Sequence, residues 1–113
     1  MTDRELLELA AKAMGRGDLV WCSALNGMVR NSRPDKQLHL DDVASHWNPL
    51  TNDGDALRLA VATGEPFVVR TSCVTTMGGL KEDFDPHKAG DDLRATRRAI
   101  VRAAAVIGKG MKS

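Results

Sequence analysis

The sequence predicts an α+β domain in which three helices pack with a mainly antiparallel sheet of three to five strands. Three segments carry apolar residues at helical spacing, and an Asn26-Gly27 pair between two β-type segments is a strong hairpin signal. A further segment rich in β-branched residues follows the second helix. Because amphipathic helices need a sheet face to bury against, we expect an α/β/α layered sandwich with the order α-β-β-(β)-α-β-α.

The length and composition are those of one domain over residues 1–113. Apolar residues make up 42% of the chain and aromatic residues only 4%, so the core is expected to be aliphatic. The net charge of +1 gives no bulk attraction to nucleic acid or an anionic membrane. No apolar run approaches the roughly 20 residues that cross a bilayer, and no signal-peptide pattern opens the chain. We therefore expect a cytoplasmic protein.

The first helix is predicted over residues 2–14. Thr2 and Glu5 match a capping box, and Gly15 is a natural helix stop. Its expected apolar face consists of Leu6, Leu9, Ala10 and Ala13, with Leu7 and Met14 at the edge.

Residues 19–25 and 28–32 are predicted to pair as a hairpin around Asn26-Gly27. A two-residue turn would place Leu25 opposite Met28 and Ser23 opposite Arg30. Residues 37–40 are a candidate third strand, and residues 41–47 are a candidate short helical turn.

The central helix is predicted to begin after Pro49, since the residue before a proline avoids helical angles. Thr51 or Asn52 would cap it, with Asp53 and Asp55 near the positive end of the helix dipole. The residues expected to face the core are Leu57, Ala60 and Val61.

The last third of the chain is predicted as a strand, a loop and a long helix. Residues 67–76 should form the strand, and residues 76–90 should form a surface loop with a weak strand near 80–84. The helix should run from residue 91 or 92 to about 107. One strand face is expected to carry Phe67, Val69, Thr71 and Cys73, and the buried helix stripe Leu93, Ile100, Ala104 and Ile107.

Residues 47–61, WNPLTNDGDALRLAV, give the chain its most distinctive pattern. This segment resembles the signature of small phage and prophage proteins of the phage ABA-sandwich domain family. Residues 2–13 and 95–105 resemble the two ends of that family, and the regions around 24–40 and 74–90 are the variable ones. The resemblance implies a three-layer α/β/α sandwich and a phage or prophage origin, hence a bacterial host cytoplasm. It implies no reaction, because the family has no assigned chemistry.

A row of arginines is the first candidate site. Arg94, Arg98 and Arg102 recur every four residues along the last predicted helix, with Arg97 beside them. Such a row could contact an anion or a partner, and binding of nucleic acid or nucleotide phosphates is our alternative function. A solvated outer helix face is the commoner meaning of this pattern. The near-neutral charge and the lack of nearby aromatic stacking partners also disfavour nucleic acid.

The acidic segment 81–92 directly precedes this helix. Its carboxylates could complement the arginine row across a subunit contact, or mimic the phosphates of a nucleic acid. A solubilising loop is the interpretation that composition favours.

No constellation predicts a catalytic residue, a metal site or a cofactor. The paired aspartates suit helix capping better than acid–base chemistry, and the histidines and cysteines show no ligand spacing. The side chains weighed in this way are Asp41, Asp42, Asp53, Asp55, His39, His46, His87, Cys22 and Cys73.

Trp47 is a candidate anchor for a partner, although packing against the central helix is its more common use. The sequence as a whole therefore predicts a small phage accessory protein without enzymatic activity. We expect it to bind a second copy of itself or a host protein, and not a membrane.

Overall fold

The computed structural model describes residues 2–16, 18–22, 26–30 and 46–111, and the structural statements below concern these residues. Their elements are α1 (Asp3–Ala13), β1 (Leu19–Cys22), β2 (Gly27–Arg30), α2 (Asp53–Thr63), β3 (Phe67–Val69), β4 (Cys73–Thr76), β5 (Lys81–Asp83) and α3 (Asp91–Gly110). The α+β class and the antiparallel pairing are confirmed. The strands form two sheets, β1-β2 and β3-β4-β5. The candidate strand 37–40 and residues 41–45 of the candidate turn lie outside the described residues.

The two ends of α1 follow from their capping residues. The Thr2 hydroxyl accepts a hydrogen bond from the N–H of Glu5 at 3.2 Å, and Gly15 follows the helix with a φ of 75°. The buried face is shifted from the predicted one, because α1 packs against α3 and also against the β1-β2 hairpin. That face consists of Leu6, Leu7, Ala10 and Ala11, whereas Leu9 and Ala13 are half-buried.

β1 and β2 form the predicted hairpin in a different register. The observed pairs are Leu19–Arg30, Val20–Val29, Trp21–Met28 and Cys22–Gly27. The prediction that Arg30 pairs with Ser23 and Met28 with Leu25 is therefore wrong. Four residues, 23–26, separate the strands, and Asn26 has a φ of 48° in the left-handed region that asparagine tolerates in turns.

The start of α2 matches the capping pattern. Asn52 is the N-cap, and its side-chain oxygen accepts a hydrogen bond from the N–H of Asp55 at 2.9 Å. Gly64 ends the helix in the left-handed conformation, with a φ of 68°.

The buried face of α2 differs from the prediction. Ala56 and Leu59 are in the core, whereas Leu57 is 62% exposed and Val61 is 75% exposed. Ala60 is half-buried. The apolar residues of this helix lie on more than one side, so spacing alone does not select which stripe packs against the rest of the protein.

β3, β4 and β5 form an antiparallel meander. The single strand predicted over residues 67–76 is broken by a tight turn, in which the N–H of Arg70 donates to the carbonyl of Cys73 at 2.8 Å. The turn reverses the chain, so Val69 pairs with Val74 and the predicted common face of Val69 and Cys73 is wrong. The weak strand near 80–84 is confirmed as β5, with Glu82 opposite Val74.

α3 is the central element of the described residues. It packs against α1, α2 and every strand of the three-stranded sheet. Ile100 and Ala104 are buried as predicted, but Leu93 is 50% exposed and Ile107 is 36% exposed. Because neighbours surround α3, its buried set is broad and consists mainly of small residues. These are Ala95, Ala99, Ile100, Val101, Ala103, Ala104, Ala105 and Gly108.

The principal core joins the three helices to the hairpin. Leu7, Met28, Leu59 and Val101 are among its fully buried side chains. No helix in the described ranges combines the length and the apolar content that crossing a membrane requires.

Candidate functional site

The three arginines of the predicted row and the neighbouring Arg97 diverge into separate sets of contacts. Arg97 reaches toward α2, Arg98 and Arg102 reach the half-buried carboxylate of β5, and Arg94 pairs within the first turn of α3. A continuous strip of four unpaired guanidinium groups is therefore not what the described residues present.

Arg97 clamps α3 to the start of α2. Its Nε donates to the carbonyl of Leu50 at 2.9 Å, and its Nη1 lies 2.7 Å from Oδ1 of Asp53. The Arg97 side chain is only 19% exposed. This arginine supports the fold and has little surface left for an external anion.

Arg94 belongs to the N-terminal end of α3. Its Nε lies 2.7 Å from Oδ1 of Asp91, and its Nη2 donates to the carbonyl of Asp83 at 3.2 Å. The Arg94 guanidinium lowers the pKa of the Asp91 carboxyl, and the N–H of Asp85, which donates to the same carboxyl, lowers this pKa further.

Arg98 and Arg102 share one acidic partner. Oε1 of Glu82 lies 3.1 Å from Nε of Arg98 and 3.3 Å from Nη1 of Arg102, and the Glu82 side chain is 16% exposed. Arg98 also approaches Asp3 on α1 at 3.4 Å. The acidic segment 81–92 thus complements the arginines within one chain, through Glu82 and Asp91.

The polar residues around Pro49 form a structural network. The N–H of Asn48 donates to Oδ2 of Asp55 at 3.0 Å, and Nη2 of Arg58 donates to Oδ1 of the same carboxylate at 2.8 Å. Oδ1 of Asn48 accepts from the N–H of Leu50 at 3.0 Å, while Nδ2 donates to the carbonyl of Asn26 at 3.2 Å. The most distinctive segment of the sequence therefore ties α2 to the hairpin. Asp53 and Asp55 lie in the first turn of α2, as predicted, but the tie through the Asp55 carboxylate and the Asn48 side chain was not predicted.

Trp47 lies in the core and is only 6% exposed. Its backbone forms an isolated bridge with Met28 of β2. A partner anchor needs an exposed ring, so Trp47 does not have the surface for that role. Trp47 is one of only four aromatic residues in the sequence and lies close to a proline turn. Both features suit a ring that is buried in the core.

An apolar concavity of about 250 Å³ lies between α2 and α3. We call it the α2–α3 groove. Its apolar lining is Ala56, Leu57, Phe67, Leu93 and Ile100, and its charged members are Asp53 and Arg97, which pair with each other. Sequence reasoning assigned Leu57 and Leu93 to the core, so it missed this surface.

A second concavity, of about 330 Å³, lies on another side of α3. We call it the basic groove. Arg98, Arg102 and Lys109 line it together with Leu6, Leu80, Ala105 and Val106. Two members of the predicted arginine row therefore border a concave surface, whereas Arg94 does not border it. Lys109 was missed because it lies beyond the predicted end of the helix.

The histidines and cysteines of the described ranges differ in their exposure. His46 and His87 are exposed, Cys22 is buried and Cys73 is half-buried, and both cysteines are free thiols. In this part of the chain no three His, Cys, Asp or Glu side chains come together to hold a metal ion. His39, Asp41 and Asp42 lie outside the described residues.

Comparison with known proteins gives no relative from which a role could be transferred. No protein-family model matches the sequence, and neither a curated protein nor a solved structure matches it.

Proposed function

We propose that this protein is a non-enzymatic interaction module that works by binding protein through the α2–α3 groove. The observation that carries the proposal is the exposure of Leu57, Val61 and Leu93, three large apolar side chains at and beside one concavity. The resemblance to small phage proteins suggests an accessory role in the cytoplasm of a bacterial host, and this origin remains a prediction.

These exposed apolar side chains would contribute favourable free energy to binding if a partner buried them. Full burial of one such side chain stabilises a folded or associated state by roughly 1.5–3 kcal/mol. Single exposed apolar residues are ordinary, but a group beside an apolar groove is typical of an interaction site. The paired charges of Asp53 and Arg97 leave no unneutralised charge in the lining to repel an apolar partner.

We propose that the first occupant of this groove is a second copy of the chain. A two-fold dimer needs a surface that is complementary to itself. Here Leu57 and Val61, one helical turn apart, form an apolar ridge on α2, and the groove lined by Phe67, Leu93 and Ile100 lies beside that ridge. We propose that a two-fold axis brings Leu57 and Val61 of one protomer against the groove of the other, in which Leu57 of that protomer is itself a lining residue.

Light scattering coupled to size-exclusion chromatography tests the proposal. We expect the unmodified protein to move from monomer to dimer as its concentration rises, and the double substitution Leu57→Ser/Leu93→Ser to keep it monomeric. Met77→Ser is the matched control, because Met77 is also exposed but lies in the turn after β4, outside the groove lining. This control should dimerise normally.

A protein that stays monomeric at millimolar concentration contradicts self-association through this face. Dimerisation that is equally sensitive to Met77→Ser contradicts the assignment to the α2–α3 groove. Both substituted leucines are largely solvent-exposed in the protomer, so the double variant should fold. Circular dichroism of each variant shows whether a lost dimer reflects a lost fold.

A further inference from the structure

The basic groove differs from the α2–α3 groove in its charge. Three cationic side chains, Arg98, Arg102 and Lys109, line it together with apolar groups from α1, α3 and the residue before β5. We propose that this groove binds a small anion that carries an aliphatic chain. The proposal is independent of the protein-binding function, because the two grooves share no lining residue.

The first argument is the excess of positive charge, since the lining holds Arg98, Arg102 and Lys109 whereas the carboxylates paired with these arginines are Glu82 and Asp3. Arg98 and Arg102 approach the same oxygen of one carboxylate, Oε1 of Glu82, at 3.1 and 3.3 Å. Like charges four residues apart on a helix repel each other unless anions lie between them. The second acidic contact of Arg98, to the exposed Asp3, is longer, at 3.4 Å.

Lys109 adds positive charge to the same groove. Within the described ranges its ammonium group makes no ion pair or hydrogen bond. It follows Arg102 by seven residues, which places the two Cα atoms about 10 Å apart along the helix axis. An anionic ligand in the groove therefore meets net positive charge from two successive parts of α3.

The second argument is the apolar surface between these cations. Ala105 and Val106 lie between Arg102 and Lys109 on α3, and Leu6 and Leu80 complete the lining. A bare inorganic anion leaves this surface in contact with water, whereas an aliphatic chain covers it. The volume of about 330 Å³ lies at the lower end of the range for small-molecule sites, roughly 300–1,000 Å³.

Nucleic acid fits this groove less well. Non-specific binding of single strands depends on aromatic side chains on which bases stack. None of the described residues that line the basic groove is aromatic, and its uncharged lining side chains are all aliphatic. The ligand chemistry is therefore a phosphate or carboxylate joined to a hydrocarbon chain.

Isothermal titration of the full chain with octyl phosphate, below its micelle concentration, tests the proposal. We expect Arg102→Gln to weaken binding about tenfold, because it removes one charged hydrogen-bond donor. Val106→Ser should weaken octyl phosphate without changing the response to inorganic phosphate. Arg94→Gln is the matched control, since Arg94 is an ion-paired arginine of the same helix that does not line the groove.

Parallel titrations with inorganic phosphate and with octanol separate the contribution of the anionic group from that of the hydrocarbon chain. A titration with a DNA duplex tests the competing ligand class. Equal binding of inorganic phosphate or of octanol overturns the proposal, because half of the ligand would then be dispensable. Equal weakening by Arg94→Gln and Arg102→Gln overturns the assignment to this groove. DNA binding that Arg102→Gln abolishes, with no response to octyl phosphate, assigns the cations to nucleic acid instead. Thermal unfolding of each variant confirms that the compared proteins are folded.

Discussion

α3 meets α1 and α2 in two different ways. On the α1 side the contact is extensive and is made by small residues, among them Ala10, Ala11, Ala104 and Gly108. On the α2 side the apolar contact is smaller, and a polar clamp from Arg97 supplements it. On the α1 side, which we call the closed side, the two helix backbones come together at Gly108 and Leu9, and the contact borders the basic groove through Leu6. On the α2 side, which we call the open side, the contact leaves the α2–α3 groove of about 250 Å³.

The difference shows how side-chain size decides where a surface remains available. Small residues let two helix backbones approach until no space is left between them. Large residues such as Leu57 and Leu93 instead line the α2–α3 groove and remain largely at the surface. The closed side therefore supports stability, whereas the open side supplies the surface from which we propose protein binding.

The largest expected effect is on the closed side, at Gly108. A Cβ at this position would overlap the backbone carbonyl of Leu9, so Gly108→Ala must separate α1 from α3. Overpacking of this kind costs about 2 kcal/mol, more than alanine gains through its helix propensity. Urea unfolding should show this loss of stability.

Gly110→Ala is the control for that experiment. Nothing lies within 4 Å of a Cβ at Gly110, which belongs to the same last turn of α3. This substitution should leave stability unchanged or raise it by up to about 1 kcal/mol. If the two variants unfold at the same urea concentration, the tight contact between α1 and α3 is contradicted.

A smaller effect is expected on the open side, at Arg97. Arg97→Gln removes the hydrogen bond to the Leu50 carbonyl and the ion pair with Asp53, which should cost about 1 kcal/mol. Hydrogen exchange should accelerate in α2 and not in α1. As a comparison, Lys81→Gln removes the exposed ion pair with Asp83, the one polar side-chain contact that Lys81 makes within the described ranges, and should cost about 0.5 kcal/mol or less. If Arg97→Gln accelerates exchange in both α1 and α2, the α1–α3 and α2–α3 contacts are not independent.

The sequence predicts the ends of the helices better than their buried faces. Thr2, Asn52 and Gly64 act locally through capping bonds or backbone conformation, and all three do so where their patterns indicate. The face that a helix buries depends on its neighbours, and for this reason Leu57 and Leu93 were assigned to the core in error.

The candidate sites show the same division between local and tertiary information. The spacing of Arg98 and Arg102 correctly places them on one side of α3, bordering one groove. Their shared partner could not be identified from spacing, because Glu82 reaches them only after the chain reverses twice through β3, β4 and β5. Arg97, which was predicted to lie beside this row, contacts the Leu50 carbonyl and Asp53 at the start of α2.

The smallest expected effect is at the start of α3, in the ion pair between Arg94 and Asp91. Arg94 and the N–H of Asp85 lower the pKa of Asp91 in the folded protein, so the ionised carboxylate stabilises the fold above the unfolded pKa of about 3.9. That contribution is lost as the pH falls through the lower, folded-state pKa. Asp91→Asn should therefore be less stable than the parent protein near neutral pH, and the difference should shrink below about pH 4.

Urea unfolding between neutral pH and about pH 3 measures this difference. The same substitution in an Arg94→Gln background is the control, because the principal cause of the lowered Asp91 pKa is then absent. The pH dependence should be weaker there, with the part supported by the N–H of Asp85 remaining. An undiminished pH dependence would mean that Arg94 does not stabilise the Asp91 carboxylate. In that case the Arg94–Asp91 ion pair contributes nothing to the start of α3, which is then held by the hydrogen bond from the N–H of Asp85 and by the packed sides of the helix.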